Sequence, residues 1–120
     1  MHPFPQASEL HFLVDLELRQ VCLGPWQIQF NFDKARILVE GDLEHADKSG
    51  NLRRHNTDPY RLSPIYLHHL LGQKVRSIEV EPLHLILAFD GGDIIRILTQ
   101  EGPYECGQIY DHSGQLILVY

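Results

Sequence analysis

The sequence predicts a mainly β protein, an antiparallel arrangement of about seven strands with one short helix. Three observations carry this. Apolar residues alternate with polar ones in several runs, the period of a half-buried strand. Turn signals such as Asp33-Lys34-Ala35 and Asp90-Gly91-Gly92-Asp93 separate those runs at hairpin spacing. A strand-and-hairpin unit also recurs at an offset of 57 residues.

Taken in order, Leu10, Phe12, Val14, Leu16 and Leu18 alternate with His11, Asp15 and Glu17, which predicts a first strand broken only at Leu13. Trp26, Ile28, Phe30 and Phe32 alternate with Gln27, Gln29 and Asn31 and turn into Ile37 and Val39, a hairpin. Residues 41–62 then change character. Four acids (Asp42, Glu44, Asp47, Asp58) and four bases (Lys48, Arg53, Arg54, Arg61) are punctuated by Gly41, Gly50, Asn51, Asn56 and Pro59, which reads as a long polar loop. Ser63 and Pro64 suit an N-cap and first helical position. Ile65, Leu67, Leu70 and Leu71 supply a buried stripe and Gly72 a left-handed stop, so a helix is expected over about 64–71. Strands return with Ile78 and Val80, with Leu83 to Phe89, and with Ile95 and Ile97 beyond the Asp90 turn. Finally, Gln108 to Tyr110 and Leu116 to Tyr120 flank Asp111-His112-Ser113-Gly114 as a last hairpin.

In the repeat, Arg19, Val21, Leu23, Pro25, Phe32 and Asp33 face Arg76, Ile78, Val80, Pro82, Phe89 and Asp90. Alternation breaks between Leu18 and Val21 in one copy and between Val75 and Ile78 in the other, which predicts a shared bulge. The units run over about 17–43 and 74–101 and imply a pseudo-twofold β domain.

At 120 residues, 43% hydrophobic and 22% charged, the chain has the size and composition of one globular domain spanning 1–120, which excludes wholesale disorder. No apolar run approaches the roughly 18 residues of a membrane-spanning helix. Sixteen acids against ten bases give a net charge of −6, a field that repels a phosphate backbone, so nucleic acid is not an expected partner. All of that excess lies outside the charge-balanced 41–62 segment. Two cysteines, Cys22 and Cys106, are too few for a disulfide scaffold, and Met1-His2-Pro3-Phe4-Pro5 lacks the basic start and apolar run of a signal peptide. A cytoplasmic protein with reduced thiols is expected.

No motif specifies a catalytic centre, so no enzyme, cofactor or metal is expected. His68 and His69 are adjacent, whereas helical chelation needs partners at i and i+4. His45 among Asp42, Glu44 and Asp47 matches no cation-loop template. Glu79 with Glu81 reads as a solvent-facing acidic rim. Arg53-Arg54-His55 is the one compact basic cluster and is too small for a phosphate footprint, which leaves a protein contact as its reading.

The span from Gly72 to Tyr120, a two-hairpin unit with the motif Pro103-Tyr104-Glu105, resembles small bacterial proteins of the toxin-immunity type. That resemblance implies a non-enzymatic module that binds a cognate basic protein, and an acidic body suits such a partner by electrostatic steering. The expected function is therefore protein interaction, with Tyr104, Glu105, Tyr110, Arg53 and Arg54 as contact residues, and with homodimerisation through exposed strand edges as a second form of partnership. The alternative is a β domain that binds a small ligand or metal through histidines, with His11 or His84 lining a pocket.

Overall fold

The computed structural model describes residues 3–56, 64–100 and 105–120. It begins with a short helix α1 (Ala7–Leu10) that tightens into a 3-10 turn at His11–Leu13. The strand expected from Leu10 to Leu18 is therefore corrected. Leu10 and Leu13 are both fully buried, and a spacing of three places two side chains on one helical face, a period that the alternating pattern concealed. Asp15, at φ 72°, then reverses the chain into the sheet.

Among the described residues ten strands follow, not seven: β1 (Leu18–Leu23), β2 (Ile28–Phe32), β3 (Ala35–Val39), β4 (Asp42–Ala46), β5 (Leu52–Asn56), β6 (Val75–Glu81), β7 (His84–Phe89), β8 (Ile94–Leu98), β9 (Gly107–Asp111) and β10 (Leu116–Val119). The expected loop 41–62 is corrected over its described part. Asp42 to Ala46 pair with Leu52 to Asn56 in an unbroken antiparallel register. Its charges had read as loop polarity, yet they are cross-strand partners: Arg54 meets Asp42 at 2.7 Å and Arg96 on β8 meets Glu44 at 3.2 Å. Asp47 closes the turn by accepting from the backbone N–H groups of Ser49 and Asn51.

The helix expected over 64–71 reduces to a single 3-10 turn, Leu67–Leu70, and its expected cap Ser63 lies outside the described residues. One turn already buries Leu67 and Leu70, and Gly72 stops it at φ 85°, the left-handed conformation expected there.

The strands form two antiparallel five-stranded sheets, ordered β1-β2-β3-β9-β10 and β5-β4-β8-β7-β6. Each sheet is thus a three-stranded meander extended by a hairpin from the other half of the chain. Register slips between Leu18 and Gln20 on β1, and between Val75 and Ser77 on β6, where alternation breaks in the sequence. A bridge between Glu17 and Lys74 joins the sheets at one corner. Their inward residues make one core, with Ile28, Phe30, Ile37 and Ile109 from the first sheet and Leu85, Leu87, Ile95 and Ile97 from the second. Each such side chain contributes about 1.5–3 kcal/mol by leaving water. Across this core the Phe32 and Phe89 rings stack at 6.5 Å. Among the described residues no helix is long and apolar enough to cross a membrane.

Candidate functional site

Alternation along β5 sends its two arginines to opposite faces, which divides the expected basic cluster. Arg54 is held by Asp42, while Arg53 lies over the Tyr66 ring at 4.2 Å and bonds Asp47 at 3.2 Å. Both guanidinium groups are thereby matched within the fold. Asp47 is the better-tied partner. Desolvation raises its carboxyl, but hydrogen bonds from Asn51, Arg53 and Ser49 outweigh this and hold it at about 2.

Glu105 and Tyr110 are linked through Gln108 of the first sheet. Gln108 of β9 donates its side-chain amide to Glu105 at 3.0 Å, and Tyr110 stands two residues along the same face, with the Arg36 guanidinium 4.5 Å above its ring. Tyr104 lies outside the described residues.

Beside Tyr110 runs β10, whose residues Leu116, Ile117, Leu118 and Val119 form the outer edge of the first sheet. Leu116 and Ile117 are exposed at 46% and 38%. The other three edge strands carry charges: Arg19 on β1, Arg53 and Arg54 on β5, and Arg76, Glu79 and Glu81 on β6. Among the described edge strands only β10 lacks the charged side chains that protect an open edge.

At the C-terminal end of β10 a cleft of about 360 Å³ opens between the segments leaving β3 and β8. Backbone bonds fix its position, since Glu40 and Gly41 both donate to the Cys106 carbonyl, and Cys106 donates to that of Tyr120. Leu98 and Cys106 give it apolar wall, and Glu40, Asp42, Arg54 and Thr99 give it polar wall. Thr99 is only 7% exposed, and its buried hydroxyl has no hydrogen-bond partner among the described residues. Burial, and then the charge of Glu105, push the Glu40 carboxyl upward.

A second polar group lies inside the core, where sequence reasoning had placed a loop. His45 on β4 is fully buried, and its Nε2 is 2.7 Å from Oδ2 of Asp93, itself 3% exposed. Among the described residues neither His45 Nδ1 nor either ring nitrogen of the buried His55 has a hydrogen-bond partner. Burial, then His45 and Arg53, lower the His55 imidazole. Among the described residues no group of three His, Cys, Asp or Glu is arranged to hold a metal. Of the histidines expected at a pocket, His11 is exposed, and His84 lies 3.3 Å from Glu81 on the surface.

The missed hairpin did have a sequence signal. Asp47-Lys48-Ser49-Gly50-Asn51 and Asp111-His112-Ser113-Gly114-Gln115 share one turn pattern, and in both the aspartate Oδ1 accepts from the backbone N–H groups two and four residues on. The glycines match as well, with φ 88° at Gly50 and 81° at Gly114. Comparison with known proteins finds no matching family model, no matching curated protein and no matching solved structure.

Proposed function

We propose that this protein is a non-enzymatic interaction module that docks an extended, basic segment of another protein along β10. The uncharged edge of β10 carries the proposal, because an open strand offers backbone donors and acceptors to an added strand. Its surroundings favour a basic partner, since Glu40 and Glu105 stand at its C-terminal end and the chain carries a net charge of −6. Tyr110 on the neighbouring strand supplies an aromatic contact. A cognate basic toxin, the partner implied by the resemblance of residues 72–120, fits this description.

The test uses a capped hexapeptide, Lys-Thr-Val-Thr-Val-Lys, and amide hydrogen exchange. Protection of the amides from Leu116 to Val119 is expected, together with at least tenfold weaker binding to a folded Ile117→Asp variant. Equal binding of a peptide ending in Glu instead of Lys, or no protection of β10, would overturn the proposal. Self-association that Ile117→Asp abolishes in analytical ultracentrifugation would instead assign the edge to a second copy of the chain.

The same reading extends to the architecture, taken as two copies of one unit, each a meander followed by a hairpin that crosses to the other sheet. Paired details at the 57-residue offset support it. Asp33 N–H donates to the Glu17 carbonyl at 3.1 Å and Asp90 N–H to that of Lys74 at 2.9 Å, while the side chains of these aspartates accept from the Glu17 and Lys74 N–H groups in return. Asp15 and Gly72 hold the equivalent positive φ positions, and the Glu17–Lys74 bridge sets matching residues opposite one another.

A further inference from the structure

We infer that a separate cavity of about 530 Å³, enclosed by the β4–β5 turn, the β7–β8 turn and residues 69–73, binds a free α-amino acid, with its ammonium group on Asp93 and its carboxylate on Lys48. The docking along β10 plays no part in this.

Asp93 is the anchor. It is 3% exposed, and its Oδ2 lies 2.7 Å from His45 Nε2, whose N–H donates to it. Oδ1 has no hydrogen-bond partner among the described residues, yet it is not sealed in the core, because Asp93 lines this cavity. A carboxylate buried to this degree with a single donor is an unbalanced charge. The imidazole does not offset it, since a second proton would sit on Nδ1, which is buried with no acceptor beside it. The partner that Oδ1 lacks is therefore a donor entering from the cavity, and an ammonium group supplies both the proton and the charge. Nor does the architecture require a polar pair here. In the two-unit reading its place in the other half is taken by Ala35 and Ile109, where Ile109 pairs with Ile37 as His45 pairs with Ile95.

The rest of the wall identifies the other end of the ligand. Asp47 and Gln73 are already engaged: Asp47 accepts from Ser49, Asn51 and Arg53, while Gln73 donates to the His69 carbonyl and accepts from the Gly91 N–H. Lys48 is exposed at the rim, its stem beside Gly92, and pairs with no carboxylate among the described residues. With Asp47 matched by Arg53, the wall retains one open carboxylate, Asp93, and one open ammonium, Lys48. A simple cation would be opposed by Lys48, a simple anion would face Asp93, and a neutral sugar would leave both charges unmatched. A molecule with one charge of each sign satisfies both, its ammonium at the buried end and its carboxylate at the rim. The Ser49 hydroxyl and the His69 ring remain for a polar side chain.

The test titrates the whole protein with each of the common L-amino acids and reads backbone amide shifts by NMR. At least one amino acid is expected to give saturable shifts at Lys48, Ser49, Gly92 and Asp93. Its N-acetyl derivative, which lacks the ammonium group, and its carboxamide, which lacks the carboxylate, should each bind at least tenfold more weakly. Lys48→Met should weaken the amino acid about tenfold and leave its carboxamide within twofold, whereas a folded Asp93→Asn variant should weaken both. Should Asp93→Asn fail to fold, the acetylated ligand and the surface variant Lys48→Met decide the matter. If no amino acid moves these resonances, or the acetylated ligand binds as well as the free one, the inference is overturned. It is overturned equally if the carboxamide matches the amino acid and Lys48→Met changes neither, because the carboxylate then has no place on Lys48.

Discussion

A neutral imidazole has one N–H to donate and one lone pair to fill, and in His55 neither meets a partner although the ring is 2% exposed. Nearby, Asp93 engages Nε2 of His45 and leaves Nδ1 unfilled. Because the His55 pKa is lowered on folding, the unfolded chain takes up its proton first. Stability is therefore greatest above the unfolded value of about 6.5 and falls as pH drops from there toward the folded value. His55→Leu removes both unpaired nitrogens from the core. Urea unfolding at pH 7.5 should show a gain of about 1–2 kcal/mol, and the gain should widen at pH 5.5. Nothing in the local sequence marked His55 as buried, since Arg53, Arg54 and Asn56 around it are polar. Its inward position follows from pairing with Leu43, a partner twelve residues earlier.

Among the elements, β9 has the tightest fit. A Cβ on Gly107 would run into the Leu38 carbonyl and the Tyr120 ring. This closeness lets Tyr120 fill the end of the core and donate its hydroxyl to Leu38 O at 2.6 Å. Burial, with Cys106 and Glu40 nearby, holds that phenol well above its usual range, so it remains a donor. Gly107→Ala should cost about 2–3 kcal/mol by overpacking, seen as a lower midpoint in thermal or urea unfolding. In the two-unit reading, Gly107 and Tyr120 stand where Leu43 and His55 stand, and Ala35 and Ile109 where Asp93 and His45 stand. One end of the core is thus apolar and the other polar. At this scale the sequence was clearest where one face is apolar and the other polar, as in β2, β3, β7 and β8. It was misleading at β4 and β5, whose charges answer one another across strands, and at the helical segment before β1, where two periods overlap. Of the expected contact residues, Glu105 and Tyr110 are linked through Gln108, but Arg53 and Arg54 are divided by the pleat. The β10 edge and the Thr99 cleft depend on which strands become neighbours, a long-range fact that no local pattern contains.

Across the whole molecule, neither half completes a sheet alone. The hairpin β4–β5 extends the meander β6–β8, and β9–β10 extends β1–β3. Fragments 1–57 and 58–120 should therefore each lack cooperative unfolding by circular dichroism, and a mixture should regain the sheet signal and one transition. Fragments that melt cooperatively on their own would contradict this. The exchange also has a consequence during synthesis. Strand β3 is complete at Val39, yet the strand that covers its open side begins only at Gly107. At about 5–20 residues per second, that edge leaves the ribosome several seconds before its cover exists. For that interval the backbone of Ala35 to Val39 has no strand to pair with on that side. Slower translation lengthens the time for which this side of β3 waits for its partner strand.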